Sequence, residues 1–303
     1  MRRRVAEAVC PEPQTCQQLF TRQINESRHL ATGLTALDQC LRGGLPAGTL
    51  TEFVGPAGAG KTQLCLQCAA CAQAESGAVI YIDTESRFSA QRLVELASAR
   101  FPSRFCSEEA QSTLTRNVAV FSPANATDLG NLIQSLESLI IERAAKLVII
   151  DSIAALMRAD FARERLIERQ AMLGEYAARL KRLAEAFRIP ILVTNQVTGG
   201  SVSLTGQGDG GAGGGVAAAM GTKWAHDINL RLMLEMDGGR RCITISKSAA
   251  APALSFPYEI ATAGLQLTAP AFEASFVTAD GAFGGLSGAP AALDTTSAAF
   301  FAG

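Results

Sequence analysis

The sequence predicts an α/β fold, with a mostly parallel central sheet covered by helices on both faces. Two observations predict it. Short apolar runs such as Val79–Ile82, Leu147–Ile150 and Ile191–Thr194 alternate with longer segments of helical period, and that alternation implies parallel strands joined by crossover helices. A glycine-rich loop then stands between the first of the strands and the helix that follows it. The chain has 303 residues, more than a usual single domain, yet one large α/β domain with tails accommodates them.

Composition sets the bounds. Hydrophobic residues make up 48% of the chain, enough for a sizeable core, and aromatics only 6%, so that core must be mostly aliphatic. The formal net charge of −1 gives no global pull toward nucleic acid, and any such contact must come from a local basic patch. Met1–Arg4 is basic, but no long apolar run follows it, so no secretory signal is visible. No apolar stretch reaches the roughly 18 residues of a membrane span. Eight cysteines raise the question of metal or disulfides. Cys65, Cys68 and Cys71 recur every three residues behind the glycine-rich loop, where a helix row of small hydrophobes packs on the sheet. Zinc would need a fourth ligand, and no second pair is evident. The expected chain is reduced and intracellular.

Along the chain, residues 1 to about 30 are polar, carry Pro11 and Pro13, and read as a tail or linker. Gly33–Leu41 has a helical pattern, GGLPAG a turn, and Thr49–Gly55 a strand. A helix is expected to about Ala74, then the strand Ala78–Asp83, a helix over Ser89–Phe101, a short strand Val118–Phe121 and a helix Asp128–Arg143. Leu147–Ile150 is an apolar strand ending at Asp151. Leu173, Tyr176, Ala177, Leu180, Leu183, Ala184 and Phe187 give Arg165–Phe187 an amphipathic period. Gly199 to Gly221 is rich in Gly, Ala and Ser and reads as a mobile loop. Asn229–Met236 and Arg241–Ser246 read as a hairpin around Asp237–Gly239. The folded core is expected over residues 31–270, with a low-complexity, disordered tail over 271–303.

The loop Gly55, Pro56, Ala57, Gly58, Ala59, Gly60, Lys61, Thr62 satisfies G-x-x-x-x-G-K-[ST] between a strand and a helix, the setting in which this motif binds phosphate. Gly58 and Gly60 let main-chain N–H groups turn toward an anion without Cβ clashes. The following helix presents its positive end to the same anion. Lys61 adds a point charge on the β/γ oxygens, and Thr62 offers a hydroxyl to Mg²⁺. Asp151, closing an apolar strand, suits a second Mg²⁺ ligand. Asp83 and Glu85 follow the apolar run Val79–Ile82, expected beside the loop's own strand; there a carboxylate serves either as general base or as a helix cap. Asn195–Gln196 ends another strand at the edge where ligands gather, as a γ-phosphate sensor or a turn.

Taken together, GLTALDQCLRGGLPAGTLTEFVGPAGAGKTQL, VIYIDTESRFSAQRLVELA, LVIIDSIAAL, ILVTNQV and GTKWAHDINLRLML stand in an order that resembles eukaryotic RecA-like recombinases and their paralogues. WAHDINLRL and ISKSAAAP look most like the B-type paralogue branch. The resemblance covers about residues 31–270 and implies a RecA-type P-loop NTPase core that binds ATP with Mg²⁺. It implies phosphate and nucleotide contacts from the loop residues and Gln63, and metal ligation by Thr62 and Asp151. It further implies water activation by Glu85, adenine stacking by Arg92 and γ-phosphate sensing by Gln196.

Three departures from the family pattern shape the expected function. About 30 residues leave no room for the family's N-terminal helical domain, so the chain is naturally short or an incomplete gene product. No Phe-x-x-Ala handle is found, since Phe20 is followed by Thr21, Arg22 and Gln23. The second DNA-facing loop carries no Lys, Arg or aromatic residue between Gln196 and Lys223, and so lacks the means of phosphate neutralisation and base stacking. The remaining DNA-contact candidates are Arg158, Arg163, Arg165 and Arg169, whose alternation with Glu also suits a solvated helix face. The expected protein is a nuclear, weakly turning-over, DNA-dependent ATPase of homologous recombination and double-strand break repair. It would work with other RecA-like paralogues, hold single-stranded or branched DNA weakly by itself, and touch no membrane. A structural ATP-binding adaptor and a self-sufficient strand-exchange recombinase are the alternatives.

Overall fold

Apolar, β-branched runs assemble a ten-stranded sheet in the computed structural model, which describes residues 14–18, 28–160, 165–196, 222–237 and 239–273. In chain order the strands are β1 (His29–Leu30), β2 (Leu45–Pro46), β3 (Leu50–Gly55), β4 (Ala78–Asp83), β5 (Val118–Phe121) and β6 (Ala145–Asp151). They continue as β7 (Ile191–Gln196), β8 (Leu230–Asp237), β9 (Arg240–Lys247), β10 (Leu254–Ala261), β11 (Gly264–Leu267) and β12 (Phe272–Glu273). The helices are α1 (Thr35–Cys40), α2 (Lys61–Ala74), α3 (Ala90–Arg100), α4 (Pro102–Phe105) and α5 (Glu108–Arg116), then α6 (Ala126–Arg143), α7 (Ala155–Asp160), α8 (Leu166–Phe187) and α9 (Thr222–Asp227).

Across the large sheet the order is β11-β10-β9-β8-β3-β7-β6-β4-β5, with β12 on β10, while β1 and β2 form a separate pair. From β8 to β5 every neighbour is parallel. From β8 to β11 every neighbour is antiparallel. The expected hairpin is present, Asp237 facing Arg240. β10 and β11 extend it into an antiparallel wing that the sequence-based reading left without elements.

One expectation is corrected by this order. β4 does not lie beside β3, because β7 and β6 stand between them. The chain crosses over two positions after α2 and fills the gap later with β6 and β7. Asp83 is therefore not adjacent to the strand that enters the phosphate loop.

Helix ends follow local chemistry. The side chains of Ser89, Ser107 and Asn125 accept from the N–H groups of Arg92, Ala110 and Asp128, capping α3, α5 and α6. The cap at Asn125 starts α6 two residues before the expected Asp128. Pro102 at the start of α4 and the Ser107-Glu108-Glu109 start of α5 are ordinary N-terminal signals.

Two apolar layers cover the sheet. One face carries α2, with Phe53, Tyr81, Leu93, Leu192 and Leu232 in its core. The other carries α6 and α8, with Leu50, Ile80, Ile150, Leu180, Ile191 and Trp224. α2 is enclosed by the sheet, α3 and β11, which is why Cys65, Cys68 and Cys71 are all buried. They are free thiols, and no group of metal-binding side chains occurs among the described residues. No helix among those residues is long and apolar enough to cross a membrane.

The sheet continues to Phe272–Glu273, just past the expected start of the tail. The expected mobile loop over Gly199–Gly221 and the expected tail beyond Glu273 lie outside the described residues, as do Phe20 and Arg163.

Candidate nucleotide site

The site is built at the carboxyl ends of β3, β7, β6 and β4. At Gly55 an added Cβ would meet the Leu234 carbonyl oxygen at 2.2 Å, so only glycine lets the loop leave β3 this close to β8. Gly58 and Gly60 have φ of +78° and +103°, the left-handed region that side chains avoid. α2 then starts at Lys61 with no side-chain cap, leaving its first N–H groups to an anion. Lys61 Nζ donates to the carbonyl oxygens of Gly55 and Pro56, each at 2.8 Å. Burial lowers the Lys61 pKa, Asp151 and Glu85 push it back up, and the Arg87 guanidinium again lowers it. Ala59 is fully buried, and its carbonyl accepts from the Tyr258 hydroxyl.

Asp151 is the centre of the polar edge. Its Oδ2 accepts from Thr62 Oγ1 at 2.6 Å and from the Tyr81 hydroxyl at 2.9 Å, and its Oδ1 from Thr194 Oγ1 at 2.5 Å. Three strands and the phosphate loop thus converge on one carboxylate. The Tyr81 ring is held in turn by an edge-on contact with Phe88, centroids 4.9 Å apart.

Asp83 at the end of β4 and Glu85 just beyond it are held differently. Asp83 accepts from the main-chain N–H groups of Glu85, Arg87 and Phe88, and is the cap of this turn. Glu85 points into the site. Its Oε1 accepts from Ser152 Oγ at 2.7 Å, and its Oε2 pairs with Arg87 at 2.8 Å. Thr84 and Ser152 exchange bonds across the same gap, the Thr84 hydroxyl donating to the Ser152 carbonyl and accepting from its N–H, both at 2.8 Å.

On the other side, Arg92 donates to Gln63 Oε1 at 2.8 Å and to the carbonyl oxygens of Thr262 and Ala261 at 2.9 and 2.8 Å. Its guanidinium plane is fixed by the turn between β10 and β11. Arg100 donates to the carbonyls of Ala263, Gly33 and Leu265, and Gln67 takes the Leu265 N–H. Gln196 ends β7 opposite Gly55, and its carbonyl accepts from Arg158 at 2.8 Å.

A family model described as Rad51 matches residues 23–267. The chain belongs to the Rad51 family. It is 40% identical over 294 residues to the human DNA repair protein RAD51 homolog 2, covering 88% of this chain and 77% of that one. Against the mouse protein of the same name it is 40% identical over 292 residues, covering 87% and 83%. Against the Arabidopsis thaliana one it is 36% identical over 285 residues, covering 87% and 76%. These relatives agree with the B-type resemblance of its motifs.

Within this Rad51 fold the three described arginines expected at DNA, Arg158, Arg165 and Arg169, are not alike. Arg158 on α7 is half-buried on the Gln196 carbonyl, and burial lowers its pKa while Glu85 raises it. It faces the nucleotide edge. Arg165 is exposed and pairs with Glu168, and Arg169 is half-buried on α8. Sequence reasoning missed Ser152, Thr194, Arg87 and Tyr258. Ser152 and Thr194 had a signal, as a hydroxyl at or beside a strand end; Arg87 and Tyr258 had none.

It also missed a fully buried carboxylate in mid-strand. Glu52 accepts from Arg231 Nε at 2.6 Å, Trp224 Nε1 at 3.0 Å and Asn195 Nδ2 at 3.2 Å. This cluster ties β3, β7, β8 and α9 together behind the site.

Proposed function

We propose that this chain is an ATP-dependent accessory factor of homologous recombination and double-strand break repair, working in the nucleus in a complex with other RecA-like paralogues. The observation that carries it is the contact of Thr62 with Asp151 beside a phosphate loop, with Glu85 held toward the same edge. The names of the relatives, DNA repair proteins, support the process.

The donor set fits Mg²⁺. Thr62 and Asp151 offer oxygen atoms only, and this ion takes few protein ligands because it keeps waters and phosphate oxygens. Bound there by those two residues, it would offset charge on the β and γ phosphates. The main-chain N–H groups from Gly58 to Thr62 would cradle the phosphates, and Lys61 would leave the Gly55 and Pro56 carbonyls for the terminal oxygens. Arg92, held in plane, offers its face to the adenine, with Gln63 beside it. Glu85 would take a proton from the attacking water, and Gln196 would report the γ-phosphate along β7. Arg158, Arg165 and Arg169, with Arg163, are the proposed DNA contacts, weak in the isolated chain.

Purification of the chain alone and with its paralogues, followed by strand-exchange and ATPase assays, tests this reading. Slow, DNA-stimulated hydrolysis that Glu85→Gln abolishes is expected. Robust strand exchange by the isolated chain would overturn the accessory role. Equal inactivity of wild type and Glu85→Gln, with Lys61→Ala still dissolving the complex, would instead make the chain an ATP-binding adaptor.

A further inference from the structure

Both oxygens of Glu85 are engaged, and by partners of opposite character. Ser152, which bonds Oε1, is buried at 1% exposure and tied through its own N–H to Thr84. Arg87, which bonds Oε2, has a side chain 53% exposed, against 18% for Glu85. The Arg87 main chain is pinned by its N–H to Asp83, so the long side chain pivots from a fixed base. Of the two partners, only Arg87 can leave. A carboxylate oxygen occupied by a guanidinium is a poor acceptor for a water proton, so Glu85 Oε2 is not free while Arg87 stays.

The same guanidinium is held at the site's edge by geometry: Glu85 Oε2 bonds it, Glu85 Oε1 bonds Ser152, and the neighbouring Asp151 bonds Thr62, the residue after Lys61. Lys61 sits where the terminal phosphates of a triphosphate belong. An exposed arginine–carboxylate pair is weak. A phosphate offers a guanidinium more charge and a fork-shaped match. A terminal phosphate arriving at Lys61 therefore competes for Arg87 on favourable terms.

We infer that Arg87 is a γ-phosphate-recognising latch: it closes Glu85 in the resting site and moves to the terminal phosphate of a bound nucleoside triphosphate, releasing Oε2. This rests on the nucleotide reading above. Hydrolysis then balances in one step. The water oxygen bonds to the γ phosphorus, the bond from that phosphorus to the β-bridging oxygen breaks, and the water proton passes to Glu85 Oε2. A diphosphate gives Arg87 nothing to move to, and the latch stays closed.

The measurement is equilibrium titration of the full chain with a fluorescent non-hydrolysable ATP analogue and with fluorescent ADP, each with Mg²⁺, for wild type, Arg87→Ala and Arg87→Lys. Arg87→Ala should weaken the triphosphate about tenfold and ADP by less than about twofold, the scale of one lost charge-assisted contact. Arg87→Lys should recover part of the loss. Equal losses for both nucleotides, or none, with wild-type binding intact, would overturn the latch and leave the nucleotide site standing. Absence of uptake by the wild type overturns both.

Discussion

Two buried carboxylates in this sheet are satisfied in opposite ways. Asp151, at the carboxyl edge, is held by the hydroxyls of Thr62, Tyr81 and Thr194, with no lysine or arginine in ion-pair contact among the described residues. Glu52, in the middle of β3, is held by the Arg231 guanidinium with help from Trp224 and Asn195. Neutral donors hold a carboxylate in place and leave its charge unspent, whereas a guanidinium neutralises it. The difference separates a charge left unneutralised at the carboxyl edge from a charge used to lock strands together.

Three measurements sharpen or break that distinction. The largest effect is expected at Glu52. Glu52→Ala leaves Arg231 uncompensated, and one-sided removal of a buried pair costs about 3–5 kcal/mol. Denaturant unfolding should show it, while Asp151→Asn, which leaves no stranded cation, should cost clearly less. Equal costs at the two positions would dissolve the comparison.

The next effect lies in the apolar layer, where groups have neither kind of partner. Burial pushes the Cys71 thiol up to about 12 and raises Cys65 and Cys68 as well. In the unfolded chain these thiols ionise near 9.0, the ordinary value. Their protonated burial is harmless below that pH, and stability falls as pH rises from about 9 toward 12, Cys71 contributing a slope of about 1.4 kcal/mol per pH unit. Thermal melts across that range should steepen accordingly, and Cys71→Ala should reduce the slope. An unchanged slope in that variant would place the alkaline loss elsewhere.

The smallest effect is at the wing. Tyr258→Phe keeps the ring and removes the donor to the Ala59 carbonyl, at a cost of about 1–3 kcal/mol for a buried acceptor left unmade. Nucleotide affinity should fall with stability, because Ala59 belongs to the phosphate loop. A stability loss with nucleotide affinity untouched would show that the wing supports the fold and not the site.

Much of the site was legible, for a local reason. A phosphate loop is eight consecutive residues, and the φ angles of Gly58 and Gly60 dictate those two glycines locally. Asp151 was visible because an apolar run ends on it, and Glu85 because it follows another. Residue type alone left Asp83 and Glu85 open, since both suit a cap and both suit a base. The family resemblance pointed to Glu85 as the base, and the three N–H groups converging on Asp83 show that one as the cap. Arg158 read as one more member of a charged helix face, and its bond to the Gln196 carbonyl at the end of β7 came only from the tertiary fold.

By itself the sequence determined the elements that periodicity and glycine chemistry specify: the parallel strands, α2 with its bare N-terminus, the phosphate loop and the core-packed Cys65, Cys68 and Cys71. Tertiary structure alone decided the strand order that puts β7 and β6 between β3 and β4, and the wing that sets Tyr258 on Ala59. It also decided the pairing of Glu52 with Arg231 across 179 positions of chain. The physical reason is range. Backbone preference and burial pattern act over a turn or a strand, whereas which buried charge meets which partner depends on which strands end up side by side.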